Sequence, residues 1–288
     1  MRKALVVRAG RGFGKALIGT LAGRGVEVVA YTGSPEKTAA LRESYSGSPG
    51  IRIVQGKADH PGELAAAAEG VDVIFCGLYL TYDEKPEKAR RMLDAVRGAA
   101  TRGGAKIVEL QGIYRPAEAL RDAPGHGAQR DILRISVPEL YGPTASNTLT
   151  HYAIRKIVRG KAVMPFMDLS VRREYLYLDD AARHAAELAS MESAYGKNWR
   201  LRGGPPLSCS ELLGMAGAIA GREVRYERYA EWKLRLLRWY EPRVQELLER
   251  FNRGEEDAVA ASVYDGDPSI SYETGLALTF GRLEGKPI

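Results

Sequence analysis

The sequence predicts an α/β protein built on a doubly wound parallel sheet, followed by a smaller, mostly helical C-terminal lobe. Three observations carry this. Short continuous apolar runs such as Ala4-Leu5-Val6-Val7 suit strands buried on both faces. These runs alternate with stretches of helical spacing, the first from Lys15 to Arg24, where Ala16, Leu17, Leu21 and Ala22 share one side. Between the first run and the first helix lies a glycine-rich turn, Arg8-Ala9-Gly10-Arg11-Gly12-Phe13-Gly14. Strand, glycine turn, helix and a second strand, Val26 to Tyr31, form the opening unit of a dinucleotide-binding, Rossmann-like fold.

The remaining elements follow in order. Ser34-Pro35-Glu36-Lys37 starts a helix that runs to about Ser44. Ile51 to Gln55 reads as the third strand, and His60 as a loop or helix-cap residue. Val71 to Gly77 is the fourth strand. Tyr79 and Tyr82 follow its carboxyl end, where parallel sheets place ligands, and both are site candidates. Pro86 to Ala100 is an amphipathic helix with a solvated, basic face. Lys106 to Leu110 and Ile132 to Val137 are the fifth and sixth strands. Two prolines and several glycines fall between them, so the usual crossover helix must be truncated or replaced. His126 sits in that stretch, on a Pro-Gly-His-Gly loop, and titrates near neutrality as an acid/base should. A helix from Leu149 to Gly160, a strand at Trp199 to Leu201 and a helix capped by Ser208 or Ser210 come next. Tyr229 to Arg253 is a long helical region. Its Trp232, Leu236, Leu237, Trp239 and Tyr240 suit packing of the lobe or of a homodimer partner, and Pro242 breaks it in two. The expected domains are a core of residues 1–160, rejoined by 172–190, and a lobe made mainly of 161–288.

Composition narrows the class. With 288 residues, 45% of them hydrophobic and 27% charged, the chain has ample core for such a fold. No apolar run approaches the ~20 residues of a membrane span, and no signal-peptide pattern opens the chain. Cys76 and Cys209 lack metal spacing and read as reduced thiols of a cytoplasmic protein. The net charge of +6 is dispersed and no nucleic-acid motif accompanies it, so the expected partner is a small anionic molecule, with no nucleic acid and no membrane. The four histidines are scattered, which argues against a metal site. Fifteen tyrosines against five phenylalanines leave room for a polar pocket lined by some of them, though most tyrosines serve packing.

Further motifs carry a family resemblance. The opening unit, Gly70-Val71-Asp72-Val73-Ile74-Phe75, the run Arg134 to Pro143 ending in Tyr141-Gly142-Pro143, and Tyr175-Leu176-Tyr177-Leu178-Asp179-Asp180-Ala181-Ala182-Arg183 come in a specific order and spacing. Together they resemble the short-chain dehydrogenase/reductase superfamily, in its extended or atypical branch of NAD-dependent epimerase/dehydratase-like proteins. The resemblance covers about residues 1 to 255. It implies that the loop after Tyr-Gly-Pro lines the substrate pocket, that Asp179-Asp180 caps a helix, and that Tyr141 lies near the substrate.

The chain departs from the family where cofactor chemistry resides. Laid on Gly-x-x-Gly-x-x-Gly, the glycine positions fall on Arg8, Arg11 and Gly14. The first glycine makes the tight turn, the second lets the backbone touch the pyrophosphate, and the third lets helix and strand pack. Lys57 stands where the family carries an adenine-contacting Asp, and no Tyr-x-x-x-Lys follows the fifth strand. These departures predict that no dinucleotide binds in the standard mode. The alternative is a rearranged loop using Gly10, Gly12 and Gly14 with both guanidinium groups. In that case NADP is the second choice, because the second strand ends without an acid and Thr32, Ser34 and Lys37 suit a 2′-phosphate. The function expected first is a non-redox proton-transfer enzyme (an isomerase, lyase or cyclase) of specialised metabolism. Arg8, Arg11, Gln111, Arg115 and Tyr141 would bind a polar or anionic substrate, while Tyr114, His126, Tyr79 and Tyr82 would move protons. The other expectations are an NADP-dependent reductase or epimerase with a rebuilt site, and a non-catalytic ligand sensor.

Overall fold

Strand and helix alternate through the first half of the chain in the computed structural model, which describes residues 1–116, 130–164, 168–227, 262–266 and 269–284, with 246, 249 and 252. The order is β1 (Lys3–Val7), α1 (Gly12–Gly23), β2 (Glu27–Thr32), α2 (Pro35–Ser44), β3 (Ile51–Gln55), α3 (Pro61–Ala67), β4 (Val73–Leu78), α4 (Pro86–Gly103) and β5 (Lys106–Gln111). Then come β6 (Ile132–Ser136), β7 (Glu139–Tyr141), α5 (Leu149–Val158), β8 (Arg172–Arg173), β9 (Tyr175–Tyr177) and α6 (Leu178–Ala189). The chain continues through β10 (Asn198–Leu201), β11 (Leu207–Ser208), α7 (Cys209–Ile219), β12 (Ser262–Tyr264) and α8 (Tyr272–Leu283).

Eight strands form one sheet in the order β12-β10-β6-β5-β4-β1-β2-β3, with every pair parallel. A parallel sheet needs apolar cover on both faces. Alternation within each strand supplies it. Ala4 and Val6 of β1 face a core with Leu17, Ile18 and Leu21 of α1 and Ala181, Ala185 and Leu188 of α6. Leu5 and Val7 face the opposite core, with Leu64 of α3 and Met92, Val96 and Ala99 of α4. Gly25, at φ 74, ends α1 in the left-handed region that only glycine enters at low cost.

Helix α1 begins at Gly12 instead of the expected Lys15, so Gly12 and Gly14 lie inside its first turn. Three lobe helices, α5, α7 and α8, pack on one another around a third core. Two short sheets, β7 with β9 and β8 with β11, join that lobe to the main body. β10 and β12 come from the sequence expected to form the lobe, yet they extend the main sheet. The reason is edge pairing: β10 lies beside β6, and β12 beside β10. The long helical region expected over 229–253, like His126, lies outside the described residues, save single positions.

Candidate dinucleotide site at the switch point

The chain winds from β1 outward to β3, then returns to β4 on the other side of β1. In open α/β sheets, ligands bind at the carboxyl ends of the strands flanking such a reversal. The glycine turn lies there, between β1 and α1. At Gly14 a Cβ would stand 2.7 Å from the Ala9 Cα, so the bare backbone lets helix and strand approach. At Gly10 a Cβ would meet the Lys37 Cβ at 2.7 Å, and at Gly12 the Thr144 carbonyl oxygen at 2.4 Å. The requirement for bare backbone thus falls on residues 10, 12 and 14, not on 8, 11 and 14.

Arg8 and Arg11 leave the turn sideways, toward the segment after β4. Arg8 adopts φ 62, the conformation a glycine would take there, at a cost of order 1 kcal/mol or more for a side-chain-bearing residue. Its guanidinium donates to Glu84 and, at 3.3 Å, to the Gly77 carbonyl. Arg11 donates to Thr81 Oγ1 at 3.0 Å and to Asp83 Oδ1 at 3.3 Å. Arg11 is the N-cap of α1 but contributes no side-chain cap, and no acid occupies the first turn. That helix end therefore offers amide donors and a positive dipole end. Burial, then the Arg11, Arg8 and Lys15 charges, push the Lys37 ammonium below its usual pKa. Four cations are therefore crowded around one turn.

The tyrosines expected to move protons part company. Tyr114, 2% exposed, donates to Glu139 (2.7 Å to Oε2) and accepts from the Leu149 amide at 2.9 Å. Glu139 also accepts from the Thr150 amide and hydroxyl. Burial and the neighbouring Glu139 carboxylate hold the Tyr114 pKa well above the phenolic range. The expected catalytic role of Tyr114 is corrected to that of a strut between β5, β7 and α5. Tyr141 is corrected likewise: it is buried in the lobe core, its ring 5.6 Å from Tyr177 and 5.9 Å from Tyr272. Four of the fifteen tyrosines meet in this cluster, with Tyr175 edge-on to Tyr272. Arg115 is buried and donates to Gln111, which is half-buried at the end of β5. Tyr79 is buried, while Tyr82 is 42% exposed and sets its ring edge-on to Tyr114 at 6.2 Å. Glu109, within β5, is held by Arg97 and Arg134.

Sequence reasoning missed Thr81, Asp83 and Glu84, which meet the two arginines, and Asn147, which donates to Asp83 at 2.9 Å. A signal existed. Two arginines in a glycine turn demand counter-anions, and Asp83-Glu84 is the first acidic pair after the neighbouring strand. Asp180 does not cap α6, whose N-cap is Tyr177; its carboxylate instead binds the Ser269 and Ile270 amides. His60 caps α3 and Ser208 forms a capping box on α7, as their sequence contexts predict. No cluster of potential metal ligands occurs among the described residues.

These features define a dinucleotide-fold protein with its ligand turn at the β1/β4 reversal. Residues 9–116 match the family model of NAD(P)H-binding domains. No curated protein sequence matches the chain. Among solved structures, a double mutant of the dTDP-glucose 4,6-dehydratase DesIV from Streptomyces venezuelae, with NAD bound, aligns with a TM-score of 0.72 at 16% identity, over 99% of this chain and 97% of that one. The epimerase Mth375 of Methanothermobacter thermautotrophicus gives 0.69 at 15%, over 99% and 92%. The UDP-glucuronic acid 4-epimerase of Bacillus cereus, with NAD and UDP-glucuronic acid, gives 0.64 at 14%, over 98% and 99%. At these identities the likeness is one of fold. Residues 9–116 thus match an NAD(P)H-binding model, and the chain shares its overall fold with these solved dehydratases and epimerases.

The match of residues 9–116 to an NAD(P)H-binding model overturns the expectation that no dinucleotide binds in the standard mode. The steric argument failed because the arginine side chains turn off the glycine bend while Gly10, Gly12 and Gly14 keep its backbone bare. No helix among the described residues is long and apolar enough to cross a membrane.

Proposed function

We propose that the chain is an NADP(H)-dependent enzyme of the epimerase or dehydratase kind, acting on a small polar or anionic metabolite. One observation carries the cofactor assignment: Arg8, Arg11, Lys15 and Lys37 crowd the turn that receives the dinucleotide, and no acid ends β2. Mutual repulsion among crowded cations is relieved by a phosphate dianion more than by a ribose diol. Lys37 would hold the 2′-phosphate, and Arg11 with the first turn of α1 the diphosphate. The bound nicotinamide would supply hydride transfer.

Among the described candidates, Tyr82 suits the proton-donor role. It is half-exposed beside the reversal, where its hydroxyl is open to a bound substrate. Epimerases and dehydratases of this kind return their hydride, so their net reactions are those of an isomerase or a lyase. Stoichiometric loss of NADPH during turnover would favour the reductase reading instead.

The test is a titration followed by NADPH and NADH fluorescence. NADPH is expected to bind at least about tenfold tighter than NADH, a preference of roughly 1.4 kcal/mol. Lys37→Ala should erase most of it. Equal affinity for both cofactors in the wild-type protein would reject the NADP assignment.

A further inference from the structure

Among the described residues, three other than glycine hold positive φ: Arg8 at 62, Tyr79 at 52 and Asn147 at 56. All three belong to one contact. Glu84, 6% exposed, takes the Arg8 guanidinium on one oxygen and the Tyr79 amide, at 2.7 Å, on the other. Asp83 takes Arg11 on one oxygen and the Asn147 amide group on the other. The Tyr82 amide donates to the Asn147 carbonyl at 3.0 Å, which closes the ring of contacts. Segment 79–84 is therefore pinned to the glycine turn from one side and to the loop before α5 from the other. A cleft lined by Arg8, Arg11, Gly12, Thr81, Glu84 and Thr148, and beneath them by apolar core residues, opens beside this contact.

Among the described residues, positive φ outside glycine is confined to this one contact, which is where stored strain can serve a switch. Removing the cation from a buried carboxylate is costly. The guanidinium groups that balance Glu84 and Asp83 are also those nearest the diphosphate seat.

We propose that segment 79–84 is a latch whose two carboxylates act as internal counter-anions. They compete with the dinucleotide diphosphate for Arg8 and Arg11, and the segment swings off the glycine turn as the cofactor enters. This rests on the cofactor reading above. The exchange is one ion pair for another, with relief of backbone strain at Arg8, Tyr79 and Asn147 favouring the open form.

The experiment measures NADPH and NADP+ affinity by calorimetry for the wild-type protein, Glu84→Gln and Asp83→Asn. Circular dichroism confirms that each is folded. Asp83 is half-exposed, so its variant keeps the test decisive if Glu84→Gln does not fold. Each folded variant should bind about fivefold to twentyfold tighter than wild type. Hydrogen exchange supplies a second readout: saturating NADPH should speed exchange at residues 79–84 of the wild-type protein, the Tyr79 amide above all. Wild-type binding with unchanged or weaker affinity in the variants, or with unchanged exchange, overturns the latch and leaves the cofactor reading standing. If none of the three proteins binds either nucleotide, the cofactor reading falls and the latch falls with it.

Discussion

His151 is buried on the first turn of α5, its backbone amide donating to the Thr148 hydroxyl, and its Nδ1 has no hydrogen-bond partner. Burial, reinforced by Arg155 one turn on, pushes its pKa down from 6.5 to about 4. The folded state therefore refuses a proton that the unfolded chain accepts. Stability from this group is complete above the unfolded value of 6.5 and drains away as pH falls toward about 4, at most about 3 kcal/mol in all. Urea unfolding at pH 7.5 and 4.5 should show a smaller acid loss in His151→Leu than in the wild-type protein. Equal losses would mean that His151 titrates normally in the fold. Glu139 illustrates the opposite case at the same scale, a buried carboxylate tolerated because the Tyr114 and Thr150 groups donate to it. Neither environment can be read from the residue type. The sequence singled out Tyr114 correctly as a residue at the end of a strand, but its hydroxyl was already committed to a partner 25 positions away.

At the scale of the element, α1 separates glycines that the site needs from one that it does not. A Cβ at Gly14 would press on the Ala9 Cα at 2.7 Å and on the Ala9 and Arg8 carbonyl oxygens at 2.9 Å, all backbone atoms of the ligand turn. Gly14→Ala should cost about 1–3 kcal/mol by overpacking and weaken NADPH binding as the turn shifts. Gly19, in the same helix, has no atom within 4 Å of its Cβ position and no positive φ. Gly19→Ala should therefore stabilise the protein by about 0.5–1 kcal/mol through helix propensity, with cofactor affinity unchanged. Thermal unfolding of the two variants checks both signs. The period of the apolar residues made α1 legible, and the fixed spacing of its flanking strands made its role legible. The placement of its start was not, because Arg8 reaches a left-handed backbone that the sequence assigns to glycine.

Across the whole molecule, Asp180 ties the end of the chain to its core. Placed on α6, which packs against α1, it accepts from the Ser269 and Ile270 amides and from Arg183 at 3.1 Å. Those amides lead directly into α8, which supplies Leu276 and Phe280 to the lobe core. Asp180→Ala should leave the part-buried Ser269 and Ile270 amides without their acceptor and cost about 1–3 kcal/mol in chemical denaturation, while Arg183→Ala, at a partly exposed pair, should cost no more than about 1. Comparable losses in the two would show that the ion pair, not the clamp on the chain, is what matters.

The sequence by itself determined the parallel sheet, the glycine turn at its reversal and the likeness to epimerase/dehydratase proteins, because strand periodicity, helix periodicity and the Tyr-Gly-Pro and Tyr-x-Tyr blocks are local patterns. Tertiary structure alone decided where charged side chains go. Arg8 and Arg11 look like obstacles in the linear chain, yet they point at acids more than 70 positions later. β12 looks like an irregular tail, yet it completes the edge of the main sheet. A side chain's direction depends on which long-range partner can neutralise it, and such partners come together only when the sheet has formed.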